Sequence, residues 1–122
     1  MLLPALARAF SGAFSGAFAG TVALTAPDTT HYDVFNHGRP AGAMRVVVAA
    51  DSVHVRFGYQ DRQRGPDLDV TYRFLPDGTL QSRVLRTGNR ITGAAPRETE
   101  RSERRDGRVT WRAGSDTGSV PA

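Results

Sequence analysis

Two stretches in the middle of the chain alternate apolar and polar residues with a period of two. Val53, Val55, Phe57 and Tyr59 are separated by His54, Arg56 and Gly58. Leu68, Val70, Tyr72 and Phe74 are separated by Asp69, Thr71 and Arg73. Successive side chains of a strand point to opposite sides, so this pattern buries one face and wets the other, as in an antiparallel sheet. The same reading extends in both directions. Residues 31–36, 44–49, 53–60, 68–75 and 80–86 read as five strands in order, and the unbroken Val46-Val47-Val48 suggests cover on both faces of the second. Residues 98–105 read as a strand without a large apolar side chain, and 108–112 as its partner, carrying Val109 and Trp111 on one side. So polar a strand is expected at a sheet edge, where charge discourages pairing with other chains. The aromatics Phe57, Tyr59, Tyr72, Phe74 and Trp111 all fall on inward sides, which makes them the expected core.

Turn chemistry separates these strands. His37-Gly38-Arg39-Pro40, Ala50-Asp51-Ser52, Pro76-Asp77-Gly78 and Asp106-Gly107 each carry residues that tolerate or preset turn dihedrals. Thr87-Gly88-Asn89 is expected to break the fifth strand, and 91–96 fits no element cleanly. No long segment shows helical period. The fold class this implies is all-β: a curved antiparallel meander sheet of about six to seven strands, closing partly on itself, behind an apolar leader long enough for a helix.

The leader differs from the rest in composition. Residues 1–26 hold one charge, Arg8, and a tandem Ser-Gly-Ala-Phe repeat at 11–18. A basic residue, an apolar run and then small residues make a secretory signal peptide, with Ala17-Phe18-Ala19 or Thr21-Val22-Ala23 as the cleavage site. Glycine and serine dilute its hydrophobicity, so it reads as a signal or apolar leader and not as a stable membrane span. Residues 27–30 then read as a linker, 31–113 as the β-domain and 114–122, built from Gly, Ser, Asp, Thr and Pro, as a flexible tail or linker. Such a leader places the chain outside the cytoplasm, in the periplasm or the medium.

Charge and chemistry narrow the function by exclusion. The net charge is +4 and all sixteen basic residues are Arg, interleaved with Asp and Glu and not clustered, so no nucleic-acid partner is expected. Cysteine is absent, which removes disulfides and thiolate metal sites. His31, Asp33 and His37 are the one group of metal-ligand types; His31 and Asp33 share a side of their strand, but no third ligand converges on them. His54 reads as a surface histidine, and Asp51, Ser52 and His54 diverge along a strand and make no triad. Asp67 and Asp69 share a side that faces water, where both are expected to behave as ordinary solvated carboxylates. Catalytic, cofactor-binding and metal-binding residues are therefore all expected to be none, with no cofactor.

Several short stretches taken in order carry a resemblance. They are His31-Tyr32-Asp33-Val34, Gly38-Arg39-Pro40-Ala41-Gly42, Val53-His54-Val55-Arg56-Phe57, Arg64-Gly65-Pro66-Asp67, Thr87-Gly88-Asn89 and Asp106-Gly107-Arg108-Val109-Thr110-Trp111. Together, over about 31–118, they resemble the N-terminal β-region of bacterial secreted amidohydrolase-family proteins, metal-dependent hydrolases in which this region precedes a catalytic barrel. The resemblance implies a non-catalytic accessory domain, or a truncated fragment, whose partner is a hydrolase barrel. The family's His-x-His pair and further ligands are not in this sequence, so no catalytic or metal residue carries over. An accessory domain should expose an apolar patch, for which Leu85, Ile91 and Val47 are candidates. A second reading is a stand-alone periplasmic binding module for an apolar ligand, held on a curved sheet with aromatic inner faces. A free-standing enzyme is the third class, and it lacks any gathered nucleophile, base or ligand set.

Overall fold

The computed structural model describes residues 26–122, and the signal peptide and cleavage sites expected before them lie outside the described residues. Eight strands follow one another: β1 (Asp28–Asn36), β2 (Arg39–Val48), β3 (Ser52–Tyr59), β4 (Pro66–Phe74), β5 (Leu80–Asn89), β6 (Ala94–Arg105), β7 (Arg108–Ala113) and β8 (Asp116–Pro121). Each pairs antiparallel with the next, in the order β1 to β8, so the sheet is an all-β meander. Its two edges, β1 and β8, do not pair with each other, so the sheet does not close. The alternation around Val53–Tyr59 and Leu68–Phe74 is that of two adjacent central strands, in register from Ser52 opposite Arg73 to Gly58 opposite Asp67.

Two of the turns follow directly from residue type. His37-Gly38 and Asp106-Gly107 both have positive φ at each position, with φ of 48° and 76°, and of 52° and 72°. Two consecutive left-handed residues form the tight hairpin loop whose twist matches the strands it joins, and Asp-Gly is among its preferred sequences. Asp77 accepts a hydrogen bond from the Thr79 N–H at 2.8 Å, closing the β4–β5 turn.

Four expectations are corrected. The polar strand β6 is not an edge but lies between β5 and β7, because the segment read as a tail, 114–122, forms β8 on the far side of β7. Backbone pairing, which composition does not report, is enough to order Asp116–Pro121. Thr87-Gly88-Asn89 does not end β5; the strand runs on to Asn89 through an irregularity in its pairing with β6. A Cβ at Gly88 would meet the backbone of Ala94, Ala95 and Pro96, so the glycine permits close approach of β6 where a break was expected. The residues expected to be linker, 27–30, begin β1 at Asp28.

Candidate functional site

Residues directly opposite each other in paired strands share a face, so the register sorts every side chain. One face is apolar across the first five strands. A row runs Thr30, Val46, Val55, Val70, Leu85, and the rows beside it hold Val48, Val53, Tyr72 and Met44, Phe57, Leu68. Val46 is 3% exposed and Val53 8%, and most of the others are half-buried. The rings of Phe57 and Tyr59 stack at 6.4 Å on this face. The patch ends where the rows reach Arg83 and Glu100, which form an ion pair at 2.8 Å between β5 and β6. Among the described residues there is no helix and no second sheet, so no described element lies over this face.

The expected patch residues divide accordingly. Leu85 lies on the apolar face. Val47 points to the opposite face, beside His54, because it is one residue out of phase with Val46 and Val48. Ile91 sits in the β5–β6 turn against Gly65. Trp111 is not core: it is 41% exposed and lies across Gly118, its partner on β8.

The opposite face is polar and tied by charge. Asp69 sits at the centre of its network, with His54 Nε2 at 3.0 Å, Arg56 Nη1 at 3.2 Å and Arg86 Nη1 at 3.8 Å. Arg56 also reaches Asp67 at 3.2 Å. Asp67 and Asp69 do share a face, as their spacing requires, but Asp69 is not an ordinary solvated carboxylate. Its side chain is 17% exposed. Burial pushes its pKa up, and the hydrogen bonds and charges of His54 and Arg56 outweigh that and hold it below the usual carboxylate value. The sequence signal for this was available in the like-facing alternation of His54 and Arg56 on β3 with Asp69 on β4, once the register is known. Farther out, Glu98 accepts from Arg101 Nε at 2.8 Å and from Arg112 Nη2 at 2.9 Å, joining β6 to β7. Arg101, chiefly, lowers the Glu98 carboxyl to about 2. Val84, the one buried apolar side chain described on this face, lines an open depression with Arg73, Arg86 and Arg101.

His31 and Asp33 come together at the β1 edge of this polar face, where they line an open cleft with Ala43, Arg45, Arg56, Gly58, Asp67 and Arg90. His37 lies in the β1–β2 turn and does not line it. No group of three metal-ligating residues forms among the described residues. No described helix is long and apolar enough to cross a membrane. The chain matches no family model, and comparison with curated proteins and with solved structures returns no match.

Proposed function

We propose that this chain is a non-catalytic accessory β-domain, or a fragment, of an exported amidohydrolase-like protein, and that its apolar face packs against a hydrolase barrel. The observation that supports this most is the continuous apolar surface of β1–β5 with no described layer above it. A stable domain is ordinarily built from at least two layers around one core, and here the buried apolar side chains among the described residues are Val46, Val53 and Val84 alone. Contiguous apolar surface of this kind marks an interaction site, and the resemblance supplies the partner. The ion-paired polar face, in contrast, is suited to water. The curvature expected of the sheet would help it follow the rounded wall of a barrel.

The alternative, a periplasmic module carrying an apolar ligand, draws on the same face. It needs a cavity covered on both sides, and the described residues offer an open sheet. Both readings are tested together. The full chain is mixed with a separately produced amidohydrolase barrel lacking its own N-terminal region and analysed by size-exclusion chromatography. Co-elution is expected, and Val55→Arg, in the middle of the apolar face, should abolish it. A stable monomer with no affinity for the barrel overturns the proposal, and saturable binding of a lipid probe by that monomer would put the alternative in its place.

A further inference from the structure

The cleft on the polar face has an unusual distribution of charge. Ala43 and Gly58 are directly opposite each other on β2 and β3, so its floor carries almost no side chain while its neighbours are long. Arg90 occupies part of that floor. It belongs to the β5–β6 turn, two strands away from Gly58, and its side chain is laid back across β4. A Cβ at Gly58 would meet Arg90 Nη1 at 2.6 Å and Cδ at 3.2 Å, so this seat exists because residue 58 is glycine. The turn that presents Arg90 is itself fixed. The Arg90 N–H donates to the Gly65 carbonyl at 2.7 Å, and Asn89 Oδ1 accepts from the N–H groups of Ile91 and Thr92 at 2.8 and 3.2 Å.

Arg56, Arg86, Arg101 and Arg112 on this face all reach carboxylates. Arg45 and Arg90 do not: among the described residues neither forms an ion pair or a side-chain hydrogen bond, although acids line the same cleft. Asp67 is engaged by Arg56, which leaves Asp33, at the β1 rim, as the one unpaired acid. The cleft therefore presents two uncommitted guanidinium groups and, apart from them, one uncommitted carboxylate. Its volume is about 340 Å³, within the range of small-molecule sites.

We propose that this cleft binds a small zwitterion of the amino-acid class, its carboxylate held by Arg90 and Arg45 and its ammonium group directed to Asp33. A guanidinium fork matches a carboxylate in shape as well as charge. A bare dianion gains the same two arginines but brings no cation to pair with Asp33. The site lies on the face away from the proposed docking surface, so it stands or falls independently of that reading.

The test is a titration of the full chain, labelled for nuclear magnetic resonance, with glycine, acetate and inorganic phosphate in turn. Saturable shifts at the Gly58 amide and the Arg90 and Arg45 Nε–H groups are expected with glycine in the millimolar range. Acetate and phosphate should bind at least about fivefold more weakly, since each lacks a partner for Asp33. Arg90→Gln should weaken glycine binding at least about tenfold, the loss of a charge-assisted bidentate contact. Gly58→Ala, which removes the seat and leaves every charge in place, should do the same. Arg105→Gln, outside the cleft, should change nothing, and thermal unfolding of each variant checks that the sheet is intact. Phosphate binding as tightly as glycine, glycine binding unaffected by Arg90→Gln in a folded variant, or no saturable shift at all would each overturn the proposal.

Discussion

The sheet has two unequal halves. From β1 to β5 successive strands contribute aliphatic and aromatic side chains to one face, and the three buried apolar side chains, Val46 and Val53 on that face and Val84 on the other, all belong to these strands. From β6 to β8 the same rows continue as Glu100, Ser102 and Ala113, and the large apolar side chains that remain, Trp111 and Val120, are 41% and 50% exposed. The backbone pairing is continuous through both halves. The lesson is that ladder hydrogen bonds set the geometry of all eight strands, whereas burial, the larger source of net stability, is confined to five.

A charge placed on the same face of each half should have very different costs. Val46→Asp buries an unpaired carboxylate at a site only 3% exposed and should cost about 3 kcal/mol or more. Val109→Asp, half-buried on β7, should cost under about 1 kcal/mol. Urea unfolding of the two variants measures both. Equal losses would mean that the outer strands belong to the same core.

The charge networks also differ between halves. Asp69 links β3, β4 and β5 at low exposure, so Asp69→Asn should cost about 1–2 kcal/mol by weakening its bonds to charged partners. Its lowered pKa gives the sign of the pH effect. A carboxylate held below its unfolded value of 3.8 contributes stability at neutral pH, and that contribution is lost as pH falls below about 4 through the folded value. Glu98, lowered from 4.5 to about 2, follows the same rule over that interval, but it joins only β6 and β7, and its arginine partners are 46% and 53% exposed. Acid should therefore loosen both halves, and Glu98→Gln should remove the acid-induced loss of amide protection in β7 while leaving that of β3–β5 as it was. A variant that changes β3–β5 equally would show the sheet to unfold as one unit.

The halves were also unequally legible in the sequence. Strands β3 and β4 announce themselves because each buries one face, and burial is what writes period two into a sequence. His37-Gly38 and Asp106-Gly107 were readable as turns because a left-handed backbone restricts residue type. In β6 and β8 little side-chain burial constrains the residues, so Ser102, Glu103 and Gly118 carry no pattern, and an interior strand reads as an edge and an edge strand as a tail. The ion pairs of Asp69 were hidden for a related reason: facing is visible in one strand, but register between strands is not. The seat of Arg90 on Gly58 depends on a turn two strands away and leaves no local signal at all.

The smallest expected effect tests whether the last strand has any side-chain anchor of its own. Trp111 lies across Gly118, and a Cβ at that glycine would collide with the indole. Gly118→Ala must therefore lift the ring from its seat. Because Trp111 is the chain's single tryptophan, its fluorescence reports the event directly, with emission expected to shift to longer wavelength as the indole enters water. Amide exchange should quicken along Asp116–Pro121, since an edge strand with little burial opens locally before the sheet unfolds. The midpoint of thermal unfolding should stay within about 2 °C, because the residues that set it lie in β1–β5. If that midpoint falls by far more, the outer strands are coupled to the core through the indole, and the contrast between the two halves is one of exposure but not of stability.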